Sequence, residues 1–104
     1  MKWIAGLLLC ALTAGAAVNA AAPELIATKA GCLACHAVDK KLFGPSYREI
    51  AAKYRGDAKA PAVLAAKVRK GGTGVWGKAM MFPVSAKKIT DADLDDVIAW
   101  ILSL

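Results

Sequence analysis

The strongest constraint on this chain is the pentapeptide Cys32-Leu33-Ala34-Cys35-His36, in which two thiols three residues apart precede an imidazole. One helical turn carries both thiols, so each can form a thioether to a different edge of one porphyrin while the imidazole faces the iron. His36 is the only histidine in the 104-residue chain. The spacing therefore predicts one haem c, attached covalently through Cys32 and Cys35, with His36 as an axial iron ligand.

Other chemistries of a Cys-x-x-Cys pair fit this chain less well. A thioredoxin-like dithiol expects a preceding strand in a βαβ context, and no segment here alternates in polarity as a strand does. A disulfide across one regular helical turn is strained, and a structural zinc site requires more ligands than two cysteines and one histidine supply. The residues therefore favour haem attachment.

The first 20 residues have the pattern of a secretory signal peptide, with Lys2 before an apolar run over residues 4–17 and small residues at its end. We expect cleavage after Ala20, with cleavage after Ala21 or Ala22 as the alternatives. The apolar run is slightly short for an uncleaved membrane anchor, which is the competing interpretation. Export predicts a bacterial periplasmic location for residues 21–104, which are long enough for one small haem-binding domain, with no stable membrane insertion. The one other cysteine of the chain, Cys10, is lost with the signal.

The mature domain is mildly basic. The chain has 14 Lys and Arg side chains against 8 Asp and Glu, and only Lys2 is lost with the signal, which leaves a formal charge of +5. Two haem propionates would lower this charge to about +3. A basic protein can bind nucleic acid, but export and the lack of an arginine-rich cluster argue against that partner. We expect instead redox partners with acidic docking faces. Candidate contact residues are Lys40, Lys41, Lys78 and Lys87.

Helical periodicity covers most of the mature domain and predicts an all-α fold. Apolar spacing, caps and breakers predict helices over residues 23–30, 47–54, 61–70 and 91–103, with a further helical turn at the cysteines. Ser46 and Thr90 supply hydroxyl N-caps for the second and last of these helices. Gly31, after the first helix, is either a close-packing point or a helix break. In the third helix we expect Val63 and Leu64 to face the core together with Val68.

The longest stretch without a periodic pattern is residues 71–89. A loop of this length in so small a domain is usually functional. It contains Met80 and Met81, the two methionines beyond the initiator. A thioether on the iron face opposite the histidine would raise the reduction potential and exclude exogenous ligands. The residues alone leave both methionines open as the sixth ligand.

The mature chain as a whole resembles the short bacterial class I c-type cytochromes of the c-551/c-552 type. The matching segments are residues 29–36, 43–47, 50–54, 71–77 and 99–102. The resemblance implies a class I cytochrome c fold of four to five short helices wrapped around one covalently attached haem. It implies that the protein is not an enzyme but an electron carrier. Such a carrier moves single electrons between respiratory redox proteins. We expect a monomer.

The resemblance also distinguishes between the two methionines. In that family the ligand methionine falls five residues after the tryptophan of the Gly-Val-Trp-Gly motif, and from Trp76 this spacing leads to Met81. The family usually has proline before the ligand and directly after it, whereas this chain has Met80 and Phe82. Loss of both rigid neighbours could shift the loop by one residue, so Met80 remains an alternative.

Further residue roles are implied by the same resemblance. The carbonyl of Pro45 is expected to accept a hydrogen bond from the free N–H of the proximal imidazole. The indole of Trp76 matches a donor to a haem propionate, and Lys67 matches a basic residue near that propionate. Gly31 and Trp100 match the positions where the first and last helices cross.

Two other functions compete with electron transfer. A small c-haem peroxidase or gas-binding protein needs an open distal site with an acid–base residue, and the chain has no second histidine for that role. A haem subunit of a larger respiratory complex would use the same fold and the same ligands.

Overall fold

The computed structural model describes residues 21–104, and the signal peptide predicted for residues 1–20 lies outside this range. The described chain contains four α-helices, one 3₁₀ turn and one short hairpin. In chain order these are α1 (Ala21–Lys29), the 3₁₀ turn (Cys32–Ala34), α2 (Tyr47–Tyr54), α3 (Ala60–Lys70), β1 (Gly72–Gly74), β2 (Gly77–Met81) and α4 (Asp91–Leu102). No helix within residues 21–104 is long and apolar enough to cross a membrane.

The last helix, α4, organises the core. Leu94, Val97, Ile98 and Ile101 are all buried, at the three- and four-residue spacing that places side chains on one face of a helix. This face packs against α1, α2 and α3. Each large aliphatic side chain that is removed from water contributes about 1.5–3 kcal/mol, so α4 is the element that holds the other helices together.

Local sequence signals set most helix boundaries. The Ser46 hydroxyl accepts a hydrogen bond from the backbone N–H of Glu49 (3.0 Å), and the Thr90 hydroxyl accepts one from that of Asp93 (3.2 Å). Both predicted N-caps are therefore confirmed. The first helix begins two residues earlier than predicted and includes Pro23 in its first turn. That position tolerates proline because the first N–H groups of a helix have no intrahelical acceptor.

The region predicted as a loop without regular structure contains the hairpin. Its two strands run antiparallel, with Gly72 opposite Met81 and Gly74 opposite Gly77. Gly74 and Gly77 have φ angles of 112° and 94°, which let the chain reverse at low cost. Because most side chains of both strands are exposed, the hairpin has no alternating apolar pattern that would indicate it in the sequence.

One packing prediction was wrong, and one pair of alternatives is decided by the structure. Val63 is 46% exposed, because the inward face of α3 instead carries Leu64, Ala65 and Val68, which pack against the core. Gly31 is not a close-packing point, since a Cβ there would meet no atom within 4 Å. Its φ of 86° ends the first helix in the left-handed conformation, which confirms the helix-break alternative.

Candidate haem site

A cavity of about 660 Å³ lies between the 3₁₀ turn, α2, α3, the hairpin and α4. Its volume is in the range typical of cofactor sites, about 300–1,000 Å³. All the residues that the sequence predicts to bind haem line it, namely Cys32, Cys35, His36, Pro45, Lys67, Trp76 and Met81. The alternative ligand Met80 lines it as well. Much of the remaining wall is aliphatic and comes from α3 and α4.

The 3₁₀ turn brings the two thiols and the imidazole to the cavity wall. The backbone N–H groups of Cys35 and His36 both donate to the carbonyl of Cys32, at 3.2 and 3.1 Å. Both cysteines are free thiols and partly buried. Burial raises the pKa of the Cys32 thiol, and a hydrogen bond from the Tyr47 hydroxyl partly offsets this. Burial likewise raises the pKa of Tyr47, and the nearby Cys32 raises it further, so this phenol is neutral at physiological pH.

The imidazole of His36 is restrained from three directions. Its Nδ1 lies 2.7 Å from the carbonyl oxygen of Pro45, which is the contact that the resemblance assigns to Pro45. A carbonyl can only accept a hydrogen bond, so Nδ1 carries the proton and Nε2 is available to a metal. Gly44 packs so closely that a Cβ there would lie 2.7 Å from Cε1 of the ring. The ring of Tyr47 stacks on the imidazole, with centroids 5.4 Å apart and planes 21° apart.

The hairpin and the end of α3 form another part of the wall. Trp76 is 37% exposed, and the Lys53 ammonium lies 5.7 Å from the centroid of its ring, a distance at which a cation and an aromatic face attract each other. Lys67 lies in the last turn of α3, and its Nζ would be 3.4 Å from a Cβ added to Gly72. The indole and the Lys67 ammonium therefore both flank the cavity as polar groups.

Met80 and Met81 are consecutive residues of β2. Both line the cavity, and the register of the hairpin is irregular between Gly77 and Met81, so strand alternation does not distinguish the two thioethers. Met80 is 50% exposed, whereas Met81 is partly buried. Met81 also pairs with Gly72 across the hairpin, which ties its backbone to the end of α3.

The charged residues that line the cavity are mostly basic. They are Lys41, Lys67, Lys78 and Lys88, with Glu49 as the carboxylate. Of the lysines predicted to contact partners, Lys41 and Lys78 are at the cavity, whereas Lys40 and Lys87 are exposed elsewhere. The excess of ammonium groups makes the potential at the cavity positive.

Sequence reasoning missed Tyr47, Gly44 and Lys88 as site residues. The sequence gives Tyr47 and Gly44 no role beyond their place in the matching segment 43–47. The signal for both was present in the Phe-Gly-Pro-Ser-Tyr segment over residues 43–47, but contact with the imidazole requires the chain to fold back. Lys88 is separated from the cysteine turn by more than 50 residues, and its position at the cavity depends on the hairpin and the segment after it.

The residues present fit a c-type haem. An imidazole with an available Nε2 and a thioether at a largely aliphatic cavity are suitable ligands for a haem iron, and the two free thiols beside them could form the thioethers to a porphyrin. Within residues 21–104 no group of three or more His, Cys, Asp and Glu side chains is arranged to hold a metal ion. An iron bound here would therefore depend on the porphyrin for its equatorial ligands.

The chain is similar to known proteins over nearly all of its described residues. The family model for cytochrome c matches residues 20–104. A cytochrome c2 from Rubrivivax gelatinosus is 55% identical over 82 residues, which cover 79% of this chain and 96% of the relative. A cytochrome c-551 from Allochromatium vinosum is 44% identical over 88 residues, which cover 85% of this chain and 92% of the relative. The crystal structure of wild-type cytochrome c552 from Nitrosomonas europaea matches with a TM-score of 0.70 at 40% identity, over 77% of this chain and 96% of that one.

The chain therefore belongs to the cytochrome c family. The resemblance to the class I c-type cytochromes of the c-551/c-552 type is confirmed, and so is the class I fold, with the hairpin as an addition to its helices. The protein is an electron carrier and not an enzyme, with haem c as the cofactor of its family.

Substitution of Gly44 by alanine tests the packing around the imidazole. The new methyl group would lie 2.7 Å from Cε1 of His36, so the ring or its loop must shift, at a cost of about 1–3 kcal/mol in the free energy of unfolding. We expect the Nδ1 proton resonance of His36 in the reduced, haem-loaded protein to shift as well.

The matched control is Gly56→Ala. Gly56 has a φ of 76°, and a Cβ there would meet no atom within 4 Å, so this variant adds backbone strain of about 1–2 kcal/mol away from the cavity. Its His36 resonance should be unchanged. An unshifted His36 resonance in Gly44→Ala would contradict the proposed packing.

Proposed function

We propose that this protein is a periplasmic carrier of single electrons between respiratory redox proteins. It binds one haem through Cys32 and Cys35, and its iron is ligated by His36 and Met81. The observation that carries the proposal is the state of the imidazole, whose Nδ1 is bonded to the Pro45 carbonyl while Nε2 is left for iron in a cavity that Met81 also lines.

When bound, haem supplies an iron that cycles between the ferrous and ferric states. The protein residues determine how that iron is held. Thioethers at Cys32 and Cys35 prevent cofactor loss outside the cell, and the Pro45 carbonyl keeps the imidazole in one tautomer and orientation. A methionine thioether stabilises the ferrous state and blocks access of exogenous ligands. These roles suit electron transfer rather than catalysis on a bound substrate.

Three observations favour Met81 over Met80 as the sixth ligand. Met81 is the more buried of the two. Its backbone is paired with Gly72, and a Cβ on Gly71 would collide with the Met81 carbonyl. The end of α3 therefore restrains Met81 more closely than Met80.

Trp76 and Lys67 are proposed to bind a haem propionate. Both flank the cavity, and an indole N–H and an ammonium are suitable donors to a carboxylate. Lys53, beside the indole ring, adds positive charge to the same region. A propionate held by these groups is partly neutralised, which lowers the cost of its burial.

The positive potential around the cavity supports docking to acidic partner proteins. Electrostatic complementarity of this kind mainly accelerates encounter and orients the partners. Lys41, Lys78 and Lys88 line the cavity and are exposed. We propose that the protein acts as a monomer, exported by the signal peptide of residues 1–20 and released after its removal.

Paired methionine variants test the ligand assignment. The weak far-red absorption band of a thioether bound to ferric iron should be present in the oxidised protein, lost in Met81→Ala and retained in Met80→Ala. The reason is that Met81 is the more buried of the two methionines and its backbone is restrained by pairing with Gly72. The opposite pattern would assign the iron to Met80, and absence of the band in the unmodified protein would contradict thioether ligation.

Ionic strength tests the docking surface. We expect the rate constant for oxidation by anionic hexacyanoferrate(III) to fall with added salt, because screening weakens attraction to a positive surface beyond about 10 Å. The double variant Lys41→Gln/Lys88→Gln should flatten this dependence more than Lys40→Gln/Lys87→Gln, which has the same net charge. Equal salt dependences in the two double variants would contradict a docking surface at the cavity.

A further inference from the structure

The end of α3 is joined to the segment that follows β2 by several backbone contacts. The backbone N–H of Val84 donates to the carbonyl of Val68 at 2.9 Å. A Cβ on Gly71 would lie 2.9 Å from the nitrogen of Pro83, so the two backbones touch there. Together with the pairing of Gly72 and Met81, these contacts align residues 81–84 with the last turn of α3.

Arg69 completes this junction with its side chain. Its Nη1 donates to the carbonyl of Val84 at 3.2 Å, and its Nη2 donates to the carboxylate of Asp91 at 2.6 Å. The Arg69 side chain is only 24% exposed, whereas that of Asp91 is 90% exposed. Val84 therefore has both its N–H and its carbonyl bonded to α3, three residues after Met81.

We propose that Arg69 is a positioning residue for the axial thioether. It holds Met81 on the iron by fastening the Val84 carbonyl to α3, and the inference rests on the proposed ligation by Met81. A charged donor makes a stronger hydrogen bond than a neutral one. Within residues 80–84 only Pro83 restricts the backbone by its own ring, so the junction depends on contacts rather than on chain stiffness.

For holding residues 81–84 in place, the hydrogen bond from Arg69 to the Val84 carbonyl contributes more than the ion pair with Asp91. Exposed ion pairs contribute little because water and salt screen them, and Asp91 is almost fully exposed. The Val84 carbonyl, by contrast, loses a partly buried charged donor if the guanidinium is removed. Loss of Arg69 should therefore favour a locally open form in which residues 81–84 move away and the iron is accessible, without unfolding the domain.

Binding of imidazole to the oxidised, haem-loaded protein measures this opening. The apparent affinity for an exogenous ligand is proportional to the fraction of molecules in the open, binding-competent form. In Arg69→Leu we expect the apparent affinity for imidazole to rise about tenfold or more, the effect of losing one charged hydrogen bond. Arg69→Lys, which retains a donor for one partner, should show a smaller rise and so provides the conservative rescue.

Two variants provide the controls. Lys70→Leu removes the same charge from the same turn, and its side chain is exposed, so the imidazole affinity should stay within about twofold of the unmodified protein. Asp91→Asn removes the exposed ion pair alone and should also stay within about twofold. The far-red thioether band and the helix content of each variant are recorded alongside.

The imidazole affinities of these variants distinguish a failure of the Arg69 inference from a failure of the proposed ligation. Equal imidazole affinities for Arg69→Leu and Lys70→Leu overturn the inference while leaving ligation by Met81 in place. An increase in Asp91→Asn as large as that in Arg69→Leu also overturns it, since the ion pair would then be the restraint. Absence of the far-red band in the unmodified protein overturns the proposed ligation together with the inference. If Arg69→Leu fails to retain haem, the comparison of Arg69→Lys with Lys70→Leu decides in the same way.

Discussion

The orientation of the His36 imidazole is the constraint on which the rest of the site depends. The ring is set mainly by backbone, because the Pro45 carbonyl holds its Nδ1 and Gly44 leaves room only for a hydrogen atom beside it. The loop is itself anchored to the cysteine turn, since the Gly44 N–H donates to the Cys35 carbonyl at 2.8 Å. Groups of the protein itself therefore orient the imidazole, and if His36 ligates the iron as proposed, this orientation would limit the rearrangement needed when the iron changes its charge.

The same loop connects the site to the core. Ser46 caps α2, and the next residue, Tyr47, is buried between the imidazole and the edge of Trp100, whose ring centroid is 5.6 Å away at 80°. The buried face of α4 also lines the cavity. In a domain this small the core supplies only a few kcal/mol of stability, so a large apolar cofactor against α4 would contribute to folding as well as to function. We expect fold stability and haem attachment to be coupled for that reason.

How well a feature of this protein can be predicted from the sequence depends on how far apart in the chain its interacting residues lie. Helix boundaries were predicted to within about two residues at Ser46, Pro61 and Thr90, because caps and breakers act on adjacent residues. The spacing alone is sufficient to predict Cys32 and His36 as haem-binding residues. The hairpin was not predicted because its glycines and exposed side chains do not alternate between apolar and polar residues as a half-buried strand does.

The remaining errors concern contacts between distant parts of the chain. Val63 was placed on the wrong face because a run of alanines leaves the inward stripe of α3 ambiguous. The contacts of Gly44 and Tyr47 with the imidazole form only because the loop folds back onto the cysteine turn. The signal peptide and its cleavage site lie outside the described residues and remain predictions, as does the choice of Met81.

The most direct test of a closed, six-coordinate electron carrier is the proton NMR spectrum of the reduced, haem-loaded protein. A thioether bound to the iron lies over the porphyrin face, where the ring current shifts its methyl and methylene resonances far upfield. The geometry described above predicts one such spin system, assigned to Met81, with Met80 at ordinary methionine shifts. Upfield resonances that belong to Met80, or the absence of any upfield methionine, would contradict it.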